Sequence, residues 1–67
     1  MNTSTKTRLI LMLDREFDNT IESIANKQQL MNTSFSYREK AEYAAQAAEL
    51  EDYAETLLNI ALLVLEG

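Results

Sequence analysis

The sequence predicts an all-α fold, an antiparallel two-helix hairpin that dimerises into a four-helix bundle. The 67 residues contain no proline and a single glycine at the last position, so the usual turn residues of a β fold are missing. Two long segments repeat apolar residues every three or four positions, which is the period of one helix face. A chain this short buries little surface alone and, having neither cysteine nor histidine, is expected to gain stability by oligomerisation.

The first helix is predicted over residues 5–31, with Ser4 or Thr5 as its N-cap. Its apolar stripe consists of Ile10, Leu13, Phe17, Ile21, Ile24, Gln28 and Met31. Only Gln28 interrupts the apolar character of this stripe. The weak helix formers at 18–20 allow a break there, but the stripe continues in phase across them, which favours one continuous helix.

The turn is predicted at residues 32–35, because Asn-Thr-Ser-Phe is short and rich in side chains that bond their own backbone. The second helix is predicted over 36–66 and begins with a capping box, in which Ser36 and Glu39 each bond the backbone amide of the other. Its stripe has the alternating steps of a coiled-coil seam: Tyr43, Ala47, Leu50, Ala54, Leu57, Ala61 and Val64. A turn this short makes the two helices antiparallel neighbours.

Further apolar residues lie outside both stripes, at the start of the first helix and the end of the second. In an antiparallel hairpin these two ends are adjacent, and both are apolar nearly all round. One partner helix cannot cover such ends, so a second copy of the chain is expected to do so. The predicted dimer interface consists of Leu9, Leu11, Met12, Leu62 and Leu63. The alternative is that these residues form one thick end of a monomer's core.

Catalytic chemistry finds little support in the sequence. Without cysteine or histidine no standard nucleophile–base pair can form, and glycine-rich phosphate loops and Glu-x-x-His di-iron motifs are absent as well. The carboxylates of the first helix lie beside Arg15 on a face expected to be solvated: Asp14, Glu16, Asp18 and Glu22. We therefore predict no catalytic residue, no cofactor and no metal ligand, and expect the chain not to be an enzyme.

The net charge of −5 belongs to the second helix. Residues 1–31 hold four basic and four acidic side chains, whereas residues 32–67 hold two basic and seven acidic ones. No basic residue follows Lys40, so the later carboxylates are expected to have no neutralising partner within their helix. The candidate partner-binding surface consists of Glu42, Glu49, Glu51, Asp52 and Glu55. The alternative for these residues is a plainly solvated face.

Two aromatic residues near the turn, Phe35 and Tyr37, are expected to cap the end of the hairpin at the turn. The alternative is that they form an exposed aromatic anchor for a partner. The predicted architecture resembles that of the Rop-type hairpin dimers that bind RNA loops, in architecture alone, since no sequence motif is shared. Because an acidic chain repels a phosphate backbone, direct nucleic-acid binding is not expected here.

The apolar runs Leu9–Leu13 and Ile60–Leu65 are too short for a membrane span, and no signal peptide is predicted. We therefore expect a cytoplasmic, non-enzymatic regulatory or adaptor homodimer that acts by protein–protein interaction. A partner with a basic surface would match its acidic helix. One alternative is an acidic inhibitor that imitates nucleic-acid charge and blocks a basic groove on a nucleic-acid-binding protein. Another is a structural subunit of a larger helical assembly, whose apolar ends meet a different chain.

Overall fold

Two long helices make up nearly all of residues 2–67, the part of the chain that the computed structural model describes. Helix α1 spans Thr3–Thr33 and helix α2 spans Tyr37–Glu66. The three residues 34–36 connect them and return α2 along α1. The predicted all-α two-helix hairpin is confirmed. Helix α1 is two residues longer at each end than the predicted 5–31.

The start of α1 differs from the prediction. Asn2 is the N-cap, and its Oδ1 accepts a hydrogen bond from the Thr5 amide at 2.8 Å, so neither Ser4 nor Thr5 has that role. The helix also runs without a break past Thr20, whose Oγ1 donates to the Glu16 carbonyl oxygen at 2.7 Å. That bond satisfies the hydroxyl inside the helix and removes its competition with the helical backbone.

A serine pair fixes the connection between the helices. Ser36 is the N-cap of α2, and its Oγ accepts from the Glu39 amide at 3.4 Å, as predicted. The return bond of the predicted capping box is not made: the Glu39 carboxylate accepts from Ser34 Oγ at 2.8 Å, and the Ser36 amide donates to the same Ser34 oxygen at 3.4 Å. Because Ser34 is also the C-cap of α1, it ties the end of one helix to the start of the next.

The core is a single seam between the helices. All seven predicted stripe residues of α2 are buried or half-buried, so that stripe is confirmed. On α1 the prediction was wrong at two places. Thr20 is only 4% exposed and Lys27 is half-buried, whereas Ile21 is 45% exposed and Gln28 is exposed.

The reason is the angular spacing of the residues on α1. At about 100° per residue, Thr20 lies about 20° from Leu13 around the helix, whereas Ile21 lies about 80° from it. Steps that alternate between four and three keep the α1 seam facing the equally regular seam of α2. Geometry therefore places a threonine in the seam and turns the neighbouring isoleucine outward.

Two contacts across the seam fix the register of the helices. The Tyr53 hydroxyl donates to Glu16 Oε1 at 3.1 Å, and the Lys27 ammonium lies 5.9 Å from the centre of the Tyr43 ring. The backbone measures 51 × 14 × 9 Å, which is a layer one helix thick. Within residues 2–67 no side chain is less than 2% exposed. Neither helix combines the length and hydropathy needed to cross a bilayer over this range.

Candidate interaction surface

The hairpin has two flat faces, one on each side of its seam. In heptad notation the seam positions are a and d, the e positions flank them on one side, and the g positions flank them on the other. Because the helices are antiparallel, the e positions of both helices share one face and the g positions share the other. Tyr53 and Glu16, which are hydrogen-bonded across the seam, are both g residues.

An apolar groove of about 200 Å³ opens on the face that carries the e positions. It is lined by Ile10, Leu13, Asp14, Phe17, Leu57, Leu58 and Ala61. A second depression of about 330 Å³ continues it towards the chain ends and is lined by Thr3, Lys6, Thr7, Ile10, Leu11 and Leu65. Ile10 lines both depressions, so they adjoin along the half of the hairpin opposite the turn, which we call the open end. We call the two adjoining depressions the channel.

Three exposed leucines line this channel, Leu11, Leu58 and Leu65, and the exposed Leu62, at a b position of α2, lies on the same side of its helix. We call this surface, with the channel between its leucines, the groove face. It contains Leu11 and Leu62 of the predicted interface. Leu58 and Leu65 did not enter the sequence prediction, although as e residues of α2 their position beside the seam could have shown them.

The remaining predicted interface residues lie on the other side of the seam. Met12 and Leu63 follow Leu11 and Leu62 directly in sequence, and one step of about 100° carries each across the outer surface of its helix. The second apolar surface, the tyrosine face, consists of Leu9, Met12, Tyr53, Ile60 and Leu63. The structure therefore divides the predicted interface between two faces rather than bringing it together.

The hydrogen bond between Tyr53 and Glu16 crosses the tyrosine face. The Glu16 carboxylate raises the pKa of Tyr53, first by accepting the hydroxyl proton, then with help from partial desolvation, and third by the repulsion between its charge and a tyrosinate. Tyr53 is 44% exposed, so its ring adds to the surface while its hydroxyl is held in one direction. This face is therefore apolar near the chain ends and polar at its inner border.

The five predicted partner-binding carboxylates are all exposed, but they differ in their surroundings. Arg38 pairs with Glu42 at 3.3 Å, so the expectation that nothing within α2 neutralises this set is wrong for Glu42, whose partner lies one turn earlier. No ion pair involves the other four within the described chain. These four are Glu49, Glu51, Asp52 and Glu55.

The unpaired carboxylates of α2 lie at the same height as those of α1, because the register places Tyr53 beside Glu16. Together they form what we call the acidic belt: Asp14, Glu16, Asp18, Glu22, Glu49, Glu51, Asp52 and Glu55. Arg15 is the one basic residue at this height. The middle of the molecule is therefore strongly acidic, whereas the open end is apolar.

Phe35 and Tyr37 extend into solvent and are almost fully exposed. The prediction that they cap the end of the hairpin was wrong, because neither side chain covers the seam, which ends on α1 at Met31.

The chain matches no protein-family model, no curated protein and no solved structure. Within residues 2–67 no three carboxylates gather into a group that could hold a metal ion. The two faces of the open end expose large apolar side chains close together. Exposed apolar patches of this kind are suited to contact with another protein.

Proposed function

We propose that this chain is a small non-enzymatic regulatory or adaptor protein that acts as a homodimer through protein–protein interaction. The observation that supports the proposal is the exposure of large apolar side chains on both faces of the open end. Leaving one such side chain in water forgoes roughly 1.5–3 kcal/mol of burial free energy. The burial free energy of the four leucines on the groove face is therefore comparable with the whole free energy of unfolding of a small domain.

The two faces suit two different roles. The groove face is concave and mostly apolar, with one acidic and one basic side chain in its channel, so we assign it to a second copy of the chain. The tyrosine face carries a polar border at the Tyr53–Glu16 hydrogen bond, a mixture typical of interfaces that form and separate. We therefore assign the tyrosine face to a different protein, which makes the dimer an adaptor with one such surface on each chain.

Adjacent leucines provide a matched test of this assignment. Leu62 is 57% exposed on the groove face, and Leu63 is 66% exposed on the tyrosine face. Light scattering of the unmodified protein should give twice the chain mass of 7.6 kDa. Leu62→Glu should give the mass of a single chain at micromolar concentration, because it buries unpaired charge in the interface. Leu63→Glu should remain a dimer.

The same pair tests the adaptor role. A partner recovered from the native host with the unmodified protein should no longer bind Leu63→Glu, although that variant remains a folded dimer. The proposal fails if the unmodified protein is a monomer, or if both glutamate variants remain dimers. An isolated chain that is molten or insoluble would instead favour a structural subunit whose apolar ends meet a different chain.

A second candidate function is an acidic inhibitor that occupies a basic groove on a nucleic-acid-binding protein. The unpaired carboxylates of α2 favour it, because an uncompensated negative surface attracts the same groove as a phosphate backbone. A triple variant, Glu49→Lys, Asp52→Lys and Glu55→Lys, should then lose most of its affinity for a basic partner. Unchanged affinity with unchanged salt dependence would eliminate this candidate.

A further inference from the structure

We propose that two copies of the chain pack antiparallel through their groove faces, with Lys6 of each chain beside Asp14 of the other. This inference rests on the homodimer proposed above and adds its geometry. It follows from where the two charged residues of the channel lie and from what a two-fold axis does to them.

The two charges lie at opposite ends of the channel. Lys6 lines its outer part and Asp14 its inner part, and neither forms an ion pair within residues 2–67. Eight residues separate them on α1, which is about 12 Å along the helix axis. Ile10 lies midway between them and lines both parts of the channel.

This spacing is complementary to itself. In a two-fold interface, if one residue of the first chain meets a given residue of the second, the reverse contact also forms. Consider a two-fold axis that lies on the groove face at the height of Ile10 and runs perpendicular to both helices. This axis stacks α1 of one chain on α1 of the other, with the two helices running in opposite directions. Lys6 then faces Asp14 of the second chain, and the same contact forms twice.

The same axis also brings leucines of α2 from the two chains into contact. The register places residue 60 about level with Ile10, so Leu58 and Leu62 lie at equal distances on either side of the axis. The reversal therefore brings Leu58 of each chain onto Leu62 of the other. The charged pairs and the apolar contacts thus require the same position of the axis.

A parallel dimer would place charges badly. Its axis runs along the helices and stacks α1 of one chain on α2 of the other at equal height. Asp14 then lies level with Glu55 of the other chain, which is a contact between like charges.

The acidic belt limits how far two antiparallel chains overlap. With the axis at mid-length, near Asp18, the two belts would face each other over their whole extent. With the axis at Ile10, the overlap covers the open ends, and the belts lie on either side of it. The dimer is therefore elongated, with the two turns pointing away from each other.

Charge exchange tests the pairing directly. Lys6→Glu and Asp14→Lys should each weaken dimerisation about tenfold, because each replaces two attractive contacts by two repulsive ones. The double variant Lys6→Glu/Asp14→Lys should restore the dissociation constant to within about threefold of the original. Sedimentation equilibrium measures all three constants. Matched controls on the outer surface of α1, Arg8→Glu and Glu22→Lys, repeat each charge change and should shift the constant less than about threefold.

The outcomes separate the geometry from the homodimer itself. Tighter dimerisation of Asp14→Lys, as contact with Glu55 in a parallel pair would give, overturns the antiparallel geometry while leaving a dimer. Failure of the double variant to recover also overturns it. A monomeric unmodified protein overturns the homodimer of the proposed function, and this inference with it.

A distance measurement provides an independent test of the overlap. The chain contains no cysteine, so Gln29→Cys, on the outer surface of α1, carries a single spin label per chain. An axis at Ile10 separates the two labels by about 57 Å along the helices, whereas full antiparallel overlap separates them by about 33 Å. In a parallel dimer the labels lie at equal height. A distance below about 40 Å would overturn the limited overlap.

Discussion

Among single residues, Thr20 is unusual because it is the buried polar side chain of the seam. Its hydroxyl donates to the Glu16 carbonyl oxygen, which the helix already supplies with a backbone donor one turn later. The threonine hydroxyl therefore adds a second bond to a carbonyl that does not need it. Its presence in the seam costs apolar contact and gains little.

Thr20→Val should increase the free energy of unfolding by roughly 0.5–1 kcal/mol, because a methyl group replaces the hydroxyl against the facing helix. Chemical denaturation measures the difference. Thr7→Val is the matched control, since Thr7 makes the same kind of bond, to the Thr3 carbonyl oxygen at 2.9 Å, but is exposed. The control should change stability by less than about 0.5 kcal/mol. A lower stability of Thr20→Val would show that the hydroxyl bond contributes more than its desolvation costs.

The helices as elements are aligned by contacts between side chains at the border of the seam. The Tyr53–Glu16 hydrogen bond is one of these, and it depends on a protonated tyrosine. Because the pKa of Tyr53 is raised in the folded chain, the contribution of this bond to stability is complete below the ordinary tyrosine pKa of about 10. That contribution is lost as the pH rises through the folded value.

Glu16→Ala should lower the pKa of Tyr53 towards its ordinary value, because it removes both the hydrogen-bond acceptor and the negative charge. Tyrosinate absorbance during an alkaline titration reports the shift, and Tyr53→Phe identifies which of the three tyrosines gives it. Glu22→Ala serves as the control on the same helix. Titration curves that coincide for Glu16→Ala and the unmodified protein would show that the bond is absent in solution.

The same helices show how far a sequence predicts a hairpin. The stripe of α2 was predicted in full because its apolar residues alternate by four and three without interruption. The stripe of α1 was misplaced at Ile21, because hydropathy alone favours an isoleucine over the threonine beside it. Which of the two residues faces α2 depends on the regular spacing of the α2 seam. That information comes from the packed pair of helices and not from the α1 segment alone.

The candidate interaction surface was predictable in part for a similar reason. Apolar excess placed Leu11 and Leu62 outside the stripes, where both are exposed, and the acidic character of α2 was visible in its composition. The division into two faces was not predicted, because it requires the register of the helices. The positions of Lys6 and Asp14 at the two ends of the channel could not be predicted either, because the channel forms only when the helices pack together.

The whole molecule separates its charge from its apolar surface. Eight of its eleven acidic side chains lie in the acidic belt, beside one arginine, whereas the open end is mostly apolar. Mutual repulsion in the belt opposes the folded hairpin, which holds these charges closer together than an unfolded chain does. Salt screens such repulsion over about 10 Å at an ionic strength of about 0.1 M.

Raising sodium chloride from about 0.02 to about 0.3 M should therefore raise the melting temperature at fixed protein concentration. Circular dichroism measures the transition. Glu49→Lys combined with Glu55→Lys places basic groups within the belt, and this variant should melt higher at low salt and respond less to added salt. An equal rise in the variant and the unmodified protein would assign the effect to general salting-out rather than to the belt.

The thinness of the hairpin also bears on how long a molecule survives after synthesis. In a layer 9 Å thick, each turn of helix rests on one neighbour, so a short stretch opens by losing contacts on one side alone. Proteases cut such opened stretches, and the rate of cutting follows the fraction of time that they are open. In the proposed dimer, a second chain would cover part of this layer and should slow such cutting. The concentration of the chain itself should then affect its lifetime, because dilute chains spend more time as uncovered hairpins.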